Sequence, residues 1–543
     1  MGERTMEKAL TVPASTIRHR PLLITGLIIA MLFAALDGTI VGTAMPRIVG
    51  ELHGLGIMTW LTTAYMLTST TVVPIAGKLA DLLGRRIVYV SGLVIFMAGS
   101  ALCGMANDMT ELIIYRGIQG LGGGIMMPMA MIVIGDVFTG KERAKWQGVF
   151  GGLYGLASVL GPQIGGFIVD HLNWRWVFYI NLPVGILATV LIAMGLSKYK
   201  AEGPVKFDIA GMATLTAGVV SLLLGLTFGG DRYPWGSWQI VSLFAAAVVF
   251  FALFVWAEKR AEEPIIPLRL FRNRTFTLLN GIGFFMSVGM FGAIMFVPFF
   301  MQGIVGVSAT QSGTIMTPMM ITMIIGSVLG GRLVYRIGVK PQLIIGMAVM
   351  ASAFGLLGTM DVETSKWTAT MYMIILGLGT GLVMPILTLA LQESFPKSEL
   401  GVVTSSSQFF RSIGGTFGMT VLGAIMNHRS SALLDERLMP KLEALPAQAK
   451  GLVDRFAGMI HDDPQGLYSV LLSPEAMAKI PALLRDMFVP VLKQSLVDSL
   501  QSVFLFGLVF IAVGLLLVFG LKRITLSDRT EAMKQLKQAE EKA

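Results

Sequence analysis

Long apolar runs recur along this 543-residue chain, and they constrain its fold more than any other feature. The first run begins near Pro21 and the last ends near Leu521. Most are close to the roughly 20 residues that a helix needs to cross a bilayer. Backbone polar groups inside a bilayer must be satisfied by the protein itself, so only helices and closed barrels span it. The runs are uniformly apolar rather than alternating, which argues against a barrel. We therefore expect an all-α integral membrane protein.

The apolar runs divide into fourteen predicted transmembrane helices. Composition agrees with this division, because 54% of the residues are hydrophobic and only 14% are charged, which excludes an ordinary soluble domain. The single cysteine, Cys103, excludes an internal disulfide and a cysteine-based metal site. The predicted spans are 21–45, 57–77, 87–106, 110–135, 146–169, 175–196, 208–229, 237–257, 276–303, 310–335, 341–360, 367–391, 401–427 and 498–521.

Basic residues concentrate in the loops on one side of the predicted helices. The first of these loops contains Arg85 and Arg86, whereas the short loops on the other side are nearly free of charge. By the positive-inside rule, the basic loops are cytoplasmic. The net charge of +9 therefore reports orientation, and no nucleic acid partner is expected. This orientation places the tails 1–20 and 523–543 in the cytoplasm and the long 428–497 loop outside.

Two sequence segments are repeated in the second half of the chain. Residues 77–86, GKLADLLGRR, are echoed by residues 331–340, GRLVYRIGVK, at an offset of 254. Residues 120–128 and 377–385 share three glycines and a proline at an offset of 257. An even number of helices separates each pair, so the copies run in the same direction across the membrane. Two six-helix bundles related by an axis along the membrane normal are therefore expected.

This repeat divides the chain into predicted domains. The first bundle covers residues 21–197 and the second covers residues 275–522. Between them, residues 198–274 contain helices 7 and 8, interpreted as an insertion, and a cytoplasmic linker. Paired bundles with a site between them are the architecture of alternating access, in which one half rocks against the other.

Two charged residues lie inside apolar runs, where a charge is costly unless it is paired or neutralised. Asp37 in helix 1 is placed near the outer part of the span and would tend to hold a proton. A cation entering a cavity would favour its ionised form, so proton and substrate can compete through this group. Arg116 in helix 4 is a candidate partner that sets the protonation of Asp37. Structural roles stay open, because Asp37 could bond neighbouring helix groups and Arg116 could form an interhelical bond.

Charges and glycines mark candidate conformational elements. Asp81, Arg85 and Arg86 can pair with one another and with helix ends of the opposite bundle, or serve only as topology signals. In helix 5, closely spaced glycines and Pro162 predict a tight, bent contact between the bundles. The predicted latch is Gly77, Asp81, Gly84, Arg85 and Arg86. The helix-5 motif is Gly155, Gly161, Pro162, Gly165 and Gly166.

A promiscuous apolar pocket is expected from the 36 methionines, whose flexible side chains adapt to different ligands. Arg411 lies deep in helix 13, and the sequence leaves open whether it faces this cavity or the packing of the second bundle. No phosphate-binding loop, paired metal-binding histidines or nucleophile motif is present, so we expect no enzyme, metal site or cofactor. The candidate cavity residues are Tyr65, Gln119, Met127, Phe284, Phe291, Gln408 and Arg411.

Together these residues resemble the major facilitator superfamily, and within it the fourteen-helix drug:proton antiporters. Residues 77–86 resemble the superfamily's signature loop after helix 2, and Arg116 with the glycines that follow it resembles the helix-4 signature. Residues 155–166 resemble the helix-5 signature that separates exporters from importers in the family. Residues 36–46 and 174–183 are similar to segments of the fourteen-helix branch.

The resemblance covers roughly residues 20–425 and implies a specific activity. It implies a proton-coupled multidrug antiporter that exports hydrophobic, cationic small molecules by alternating access, with the proton gradient as its energy source. Asp37 would be the proton-linked acid and Arg116 its partner. It further implies a multi-pass monomer in a bacterial-type plasma membrane that confers antibiotic resistance.

Two features depart from the resemblance, and two other functions stay open. Helix 10 lacks the second deep acid that some relatives carry, which argues against strong handling of divalent cations. The 428–497 loop contains an amphipathic run, 475–500, that could lie on the membrane, cap the cavity, bind an accessory protein or be a passive extension. Export or flipping of an envelope lipid is the alternative function. A non-transporting receptor or scaffold would need no intramembrane charge, so Asp37 and Arg116 argue against it.

Overall fold

A computed structural model shows fourteen long helices, α1 to α14, and no β-strand in the part of the chain that it describes. The described residues are 18–52, 57–138, 140–197, 206–230, 232–307, 309–443, 458, 460, 467, 468, 471, 482–522 and 524. The predicted tails lie outside this part except for residues 18–20 and 524. The helices are α1 Arg20–Leu52, α2 Thr59–Leu83, α3 Arg85–Met105, α4 Met109–Val137, α5 Gly140–His171, α6 Asn181–Gly195, α7 Ile209–Phe228, α8 Trp238–Glu258, α9 Arg274–Gly303, α10 Ala309–Ile337, α11 Val339–Leu357, α12 Lys366–Ser394, α13 Leu400–Arg437 and α14 Ala482–Phe519.

Twelve helices in the described residues are long and apolar enough to cross a membrane. The chain is therefore a multi-pass membrane protein. The two long helices that fall short are α2, which contains several threonines, and α5, which begins with a charged segment at 141–145. Both helices lie at the contact between the two halves of the molecule, where polar side chains face protein instead of lipid.

The helices form two six-helix bundles, α1–α6 and α9–α14. Leu93, Phe96 and Met129 are fully buried in the core of the first bundle, and Phe300 and Phe354 are fully buried in the core of the second. The bundles contact each other mainly through α2 against α13 and α5 against α10. The predicted architecture of two six-helix bundles with two additional helices is confirmed.

The two additional helices, α7 and α8, pack against each other as a hairpin beside the bundles. Leu215 and Val219 of α7 form a small buried cluster with Val73 of α2 and Phe409 of α13. By contrast, α8 presents apolar side chains such as Val248, which is 70% exposed, to the surroundings. The hairpin therefore contacts both bundles on one side and offers an apolar surface to lipid on the other.

The sequence repeat has a structural counterpart in the backbone. Gly84 and Gly338, which are 254 residues apart, both have positive φ angles of 87° and 86° in the turns after α2 and α10. A Cβ added at Gly77 would lie 2.6 Å from a carbonyl oxygen of α13, and one added at Gly331 would lie 2.8 Å from a carbonyl oxygen of α5. Each copy thus uses one glycine to turn and one to contact the opposite bundle closely.

Several helices extend past their predicted ends. Helix α1 continues to Leu52, α13 continues to Arg437, and α14 begins early, at Ala482. The predicted 428–497 loop is therefore too long at both ends. From Ala482 onward, the amphipathic run 475–500 is part of α14, and its first residues lie outside the described part of the chain.

Polar contacts between α13 and α14 explain the additional helical turns. The Ser430 hydroxyl donates to the Ser499 hydroxyl at 3.1 Å, and Arg437 forms an ion pair with Asp498 at 2.7 Å. Because these polar side chains satisfy one another, the two helices continue as a packed pair where hydropathy alone predicts a loop.

Candidate functional site

Asp37 is 1% exposed and lies at the centre of a buried polar network inside the first bundle. Because α1 extends to Leu52, Asp37 is in the middle of the helix rather than near its outer end. Arg116 Nη1 donates to Asp37 Oδ2 at 2.8 Å, and Gln119 Nε2 donates to Oδ1 at 2.8 Å. Asn181 Nδ2, at the start of α6, donates to Oδ1 at 2.8 Å. Three donors from two helices therefore hold this carboxyl group.

A second shell of polar groups positions two of these donors. The Ser100 hydroxyl of α3 accepts from Gln119 Nε2 at 3.2 Å and from Asn181 Nδ2 at 2.9 Å. It donates to the Phe178 carbonyl oxygen at 2.9 Å. Neither Ser100 nor Asn181 was predicted as a site residue, although Asn181 lies within the 174–183 segment that carries part of the family resemblance.

Protonation changes the charge of this network. Asp37 and Arg116 form a neutral ion pair while the carboxylate is ionised, and the pair becomes positively charged when the carboxylate binds a proton. The Arg116 guanidinium also lies 4.3 Å from the centroid of the Tyr65 ring, whose π face attracts a cation. Tyr65 thus connects the network to the adjacent cavity.

A central cavity of about 190 Å³ lies beside the network. Residues of α1, α2 and α4 from the first bundle and of α13 from the second form its wall. Three of the predicted cavity residues, Tyr65, Met127 and Gln408, line it. Small residues such as Ala34 and Gly38 line the α1 side. Its wall is therefore shared between the two bundles and mostly apolar.

The other predicted cavity residues lie behind or away from this wall. Gln119 belongs to the Asp37 network. The Phe284 ring packs 5.7 Å from the Phe417 ring, and Phe291 lies against Gly415. Both rings lie between α9 and α13, so Phe284 and Phe291 contribute to the packing of the second bundle. Neither is among the residues of the cavity wall.

Arg411 lies one side chain behind the cavity wall, in the second bundle. Its Nη2 atom donates to Gln408 Oε1 at 2.7 Å, and its Nη1 atom donates to Thr388 Oγ1 at 3.2 Å. Gln408 and Ser412, on the same helix, both line the cavity. The question that the sequence left open is thus answered, because Arg411 is buried in the packing of the second bundle but contacts a residue of the cavity wall.

A wider vestibule of about 970 Å³ lies between the end of α7 and helices α2 and α13. Its wall includes Trp60 and Met66 of α2, Leu226 of α7, and Thr420 and His428 of α13. These positions are near the beginning of α2 and in the later half of α13. The vestibule is therefore at the end of the molecule opposite to the Arg85-containing loop.

Ion pairs connect the helices at the basic end of the molecule, which we define as the end where α2 finishes and α13 begins. Arg85 pairs with Asp81 at 2.5 Å and with Asp136 at 2.7 Å. Asp81 also accepts from the backbone N–H groups of Gly401 at 3.2 Å and Val402 at 3.0 Å. These groups begin α13, where the helix dipole favours a carboxylate. Asp81 therefore connects the two bundles.

The remaining residues of the predicted latch have different surroundings. Gly77 allows α2 to approach α13, and Gly84 forms the turn between α2 and α3. Arg86 is partly exposed, and it is not a member of the ion pairs formed by Arg85.

A second set of contacts at the basic end was missed by the sequence analysis. Arg143 of α5 pairs with Glu393 of α12 at 2.6 Å, and Gln147 Nε2 donates to Gln392 Oε1 at 2.6 Å. Both contacts cross between the bundles. One signal was available, because Asp136 and Glu393 are acidic residues separated by 257 positions, the offset of the glycine repeat.

The glycines of α5 take part in two different contacts. A Cβ added at Gly155 would lie 3.3 Å from a carbonyl oxygen of α10, in the opposite bundle. One added at Gly161 would lie 1.8 Å from a threonine hydroxyl of α1, in the same bundle, and Gly166 faces open space. Of the motif glycines with a described contact, Gly155 therefore faces the opposite bundle, whereas Gly161 faces its own bundle. Gly165 is buried, and the side chain of Pro162, on which the predicted bend depends, lies outside the described part of the chain.

The single cysteine, Cys103, lies beside the Asp37 network. Cys103 is buried, with its Sγ atom 3.7 Å from Gln119 Oε1. Among the described residues, no group of three or more His, Cys, Asp or Glu side chains is placed to hold a metal.

Comparison with known proteins identifies the class to which this fold and site belong. The family model described as Major Facilitator Superfamily matches residues 27–256 and 209–419 of the chain. The protein belongs to the major facilitator superfamily. It is 68% identical over 524 residues to the multidrug transporter protein MdtP of Bacillus subtilis strain 168, covering 96% of this chain and 97% of that protein. It is 33% identical to multidrug resistance protein 3 of the same strain, covering 94% and 97%.

Solved structures of distant relatives show the same fold. The human organic anion transporter MFSD10 (TETRAN) superposes with a TM-score of 0.57 at 13% sequence identity, covering 90% of this chain and 99% of that one. The proton:xylose symporter XylE superposes with a TM-score of 0.55 at 14% identity, covering 85% and 95%. At this level of identity the similarity concerns the fold alone.

Proposed function

We propose that this protein is a multidrug exporter that exchanges protons for hydrophobic, cationic small molecules. Two relatives named as multidrug proteins, one of them 68% identical over 96% of the chain, support drug export as the class of transport. The observation that carries the coupling step is the burial of Asp37, an ionisable acid, in a network that reaches the central cavity through Tyr65.

Coupling follows from the charge of the Asp37 network. With Asp37 ionised, the network is neutral and a cation can occupy the adjacent cavity. With Asp37 protonated, Arg116 loses its counter-charge and the network repels a cation. Proton and cationic substrate therefore exclude each other, which is the requirement for exchange in opposite directions.

The conformation fits one stage of an alternating-access cycle. If the basic end is cytoplasmic, as the positive-inside rule predicts, the contacts of Asp81 with α13 and of Arg143 with Glu393 close the protein on the cytoplasmic side. The α7 vestibule then opens to the outside. Export requires these contacts to break and re-form as one bundle moves against the other.

Uptake of ethidium, a lipophilic cation, into everted vesicles tests this proposal. An imposed proton gradient should drive uptake by the intact protein. In the Asp37→Asn variant, the rate of gradient-driven uptake should fall by about 10-fold or more, because the asparagine side chain cannot exchange a proton. Downhill exchange of labelled for unlabelled ethidium should persist in the variant, which shows that it is folded. Glu363→Gln, which changes an exposed acid between α11 and α12, is the matched control and should transport normally.

Two results would contradict the proposal in different ways. Undiminished gradient-driven uptake by the Asp37→Asn variant would show that another residue carries the proton. Failure of the intact protein to move any lipophilic cation, with or without a gradient, would favour the alternative of lipid export.

A further inference from the structure

Arg411 is a buried cation that has no counter-charge among the described residues. The described part of the chain buries four cationic side chains, and three of them have a carboxylate oxygen within 2.8 Å. The fourth, Arg411, is 7% exposed and donates only to the uncharged oxygens of Gln408 and Thr388. Within the part of the chain that the structure describes, its Nε atom has no hydrogen-bond partner. The three paired side chains are Lys78, Arg116 and Arg143.

The fold makes room for this side chain instead of excluding it. Arg411 lies about three turns from the beginning of α13, well inside the bundle. On the α9 side it faces Gly283, where an added Cβ would lie 3.3 Å from Arg411 Cγ. An unpaired charge at membrane depth is costly, and such residues in membrane proteins mark binding sites or ion pathways. A negatively charged group of a ligand can therefore supply the missing counter-charge.

Gln408 connects this guanidinium to the central cavity. Its Oε1 atom accepts from Arg411 Nη2, and its Nε2 atom lies 3.9 Å from the sulfur of Met127, across the cavity in the first bundle. Gln408, Met127 and Ser412 all line the cavity. A rotation of the Gln408 side chain would expose a charged donor to the cavity, and an ionised acceptor there would form a stronger hydrogen bond than the amide oxygen does.

We propose that Arg411, covered by Gln408, is a subsite for a carboxylate group of the transported molecule. The ligand class is then a zwitterionic amphiphile, with its cationic part toward the first bundle and its carboxylate toward the second. This inference rests on the proposed function, since it names a substrate class for the same cavity. It predicts that the protein distinguishes a carboxylic acid from its ester by a single residue.

Rhodamine 110 and rhodamine 123 provide a matched pair of probes. Rhodamine 110 carries a free carboxylate beside its cationic ring system, and rhodamine 123 is its methyl ester. Binding of each dye to the full chain in lipid nanodiscs would be measured by fluorescence anisotropy. In the Arg411→Gln variant, binding of rhodamine 110 should weaken about 10-fold or more, as expected for loss of a charge-assisted hydrogen bond, while binding of rhodamine 123 should change less than about 2-fold.

Two further variants keep the test decisive. Arg411→Lys retains the charge and should preserve part of the preference for rhodamine 110. Gln408→Ala removes the covering amide and should tighten binding of rhodamine 110 relative to binding of rhodamine 123. Equal weakening of both dyes in the Arg411→Gln variant, or unchanged binding of rhodamine 110, would overturn the proposal.

Two controls distinguish this proposal from binding of a free anion at Arg411 and from the proposed proton exchange. If a free anion such as chloride occupies the subsite, replacing chloride by methanesulfonate, which has no carboxylate, will alter binding of both dyes, and no selective loss of rhodamine 110 will follow in the Arg411→Gln variant. That result would overturn the assignment to substrate. Gradient-driven transport of rhodamine 123 by the intact protein tests the proposed exchange separately, because it involves no carboxylate.

Discussion

In the first bundle, the buried Arg116 lies 2.8 Å from Asp37, and every oxygen of that carboxyl group has a donor. In the second bundle, the buried Arg411 donates to Gln408 and Thr388 and has no carboxylate within ion-pair distance among the described residues. The charges beside the first-bundle wall of the central cavity thus neutralise each other, whereas the charge behind the second-bundle wall has no counter-charge among the described residues.

Around the central cavity, the repeat therefore preserved the geometry of helix packing and not the placement of charges. Gly122 and Gly379, 257 residues apart, both pack against the backbone of the preceding helix. A Cβ added at Gly122 would lie 2.3 Å from an amide nitrogen of α3, and one added at Gly379 would lie 2.8 Å from an amide nitrogen of α11. In either copy, a small residue at this position lets the two helices approach closely. The charged residues beside the central cavity follow no such repeat, since Asp37 is in α1 and Arg411 is in α13. The cavity between similar bundles is therefore electrostatically asymmetric.

Removing each arginine in turn gives the largest test of this contrast. Arg116→Gln should lower the free energy of unfolding by about 3–5 kcal/mol where Asp37 is ionised, because it leaves a buried carboxylate without its partner. Arg411→Gln should leave stability unchanged or raise it, because it removes an unpaired buried charge. Thermal unfolding of the purified variants in detergent would measure both.

The double variant Asp37→Asn with Arg116→Gln serves as the control, since it removes both charges and should recover most of the lost stability. A loss of stability in Arg411→Gln as large as that in Arg116→Gln would contradict this contrast. It would mean that packing and hydrogen bonds of Arg411 stabilise the protein although the charge is unpaired.

The sequence was sufficient for the fold because its signals are collective. Fourteen apolar runs, basic loops on one side and a glycine repeat at offsets of 254 and 257 all favour the same pair of bundles. Asp37 and Arg116 were visible because a charge inside an apolar run stands out. Ser100 and Asn181 were not, since single polar uncharged residues are common in membrane helices, and only the packing of α6 on α1 and α3 brings them into the Asp37 network.

The surroundings of Arg411 could not be read from the sequence for a different reason. A deep arginine implies an acidic partner on another helix, and here the neighbours are Thr388 and Gln408, whose side chains carry no charge signal. The ends of α13 and α14 were missed because hydropathy ends where the bilayer ends, while the helices continue through polar contacts such as that between Ser430 and Ser499.

Supplying the missing counter-charge is the next test, with an expected effect of about 10-fold. Thr388 Oγ1 is 3.2 Å from Arg411 Nη1, so Thr388→Asp should form an ion pair there and make the two cavity walls alike. The preference for rhodamine 110 over rhodamine 123 should then disappear. Thr388→Asn has the same shape without the charge and should keep the preference. Loss of the preference in both variants would attribute it to the threonine hydroxyl and not to the charge of Arg411.

The smallest expected effect concerns the basic end, where the repeat did preserve an acid. Asp136 and Glu393 are 257 residues apart, but Asp136 pairs with Arg85 within the first bundle and Glu393 pairs with Arg143 across the bundles. Only the second pair must break when the basic end opens. Glu393→Gln should therefore raise the population open at this end by about 3- to 10-fold, and Asp136→Asn should raise it less, because Arg85 keeps its contact with Asp81.

Thiol labelling would measure this population. A cysteine at Met127, in the cavity wall, would be introduced in a Cys103→Ser background and exposed to a membrane-impermeant reagent in everted vesicles. Faster labelling in Glu393→Gln than in Asp136→Asn would show that acidic residues at repeated positions have acquired different roles. Equal acceleration would mean that the ion pairs at the basic end act as one network, in which a change within one bundle weakens closure as much as a change between them.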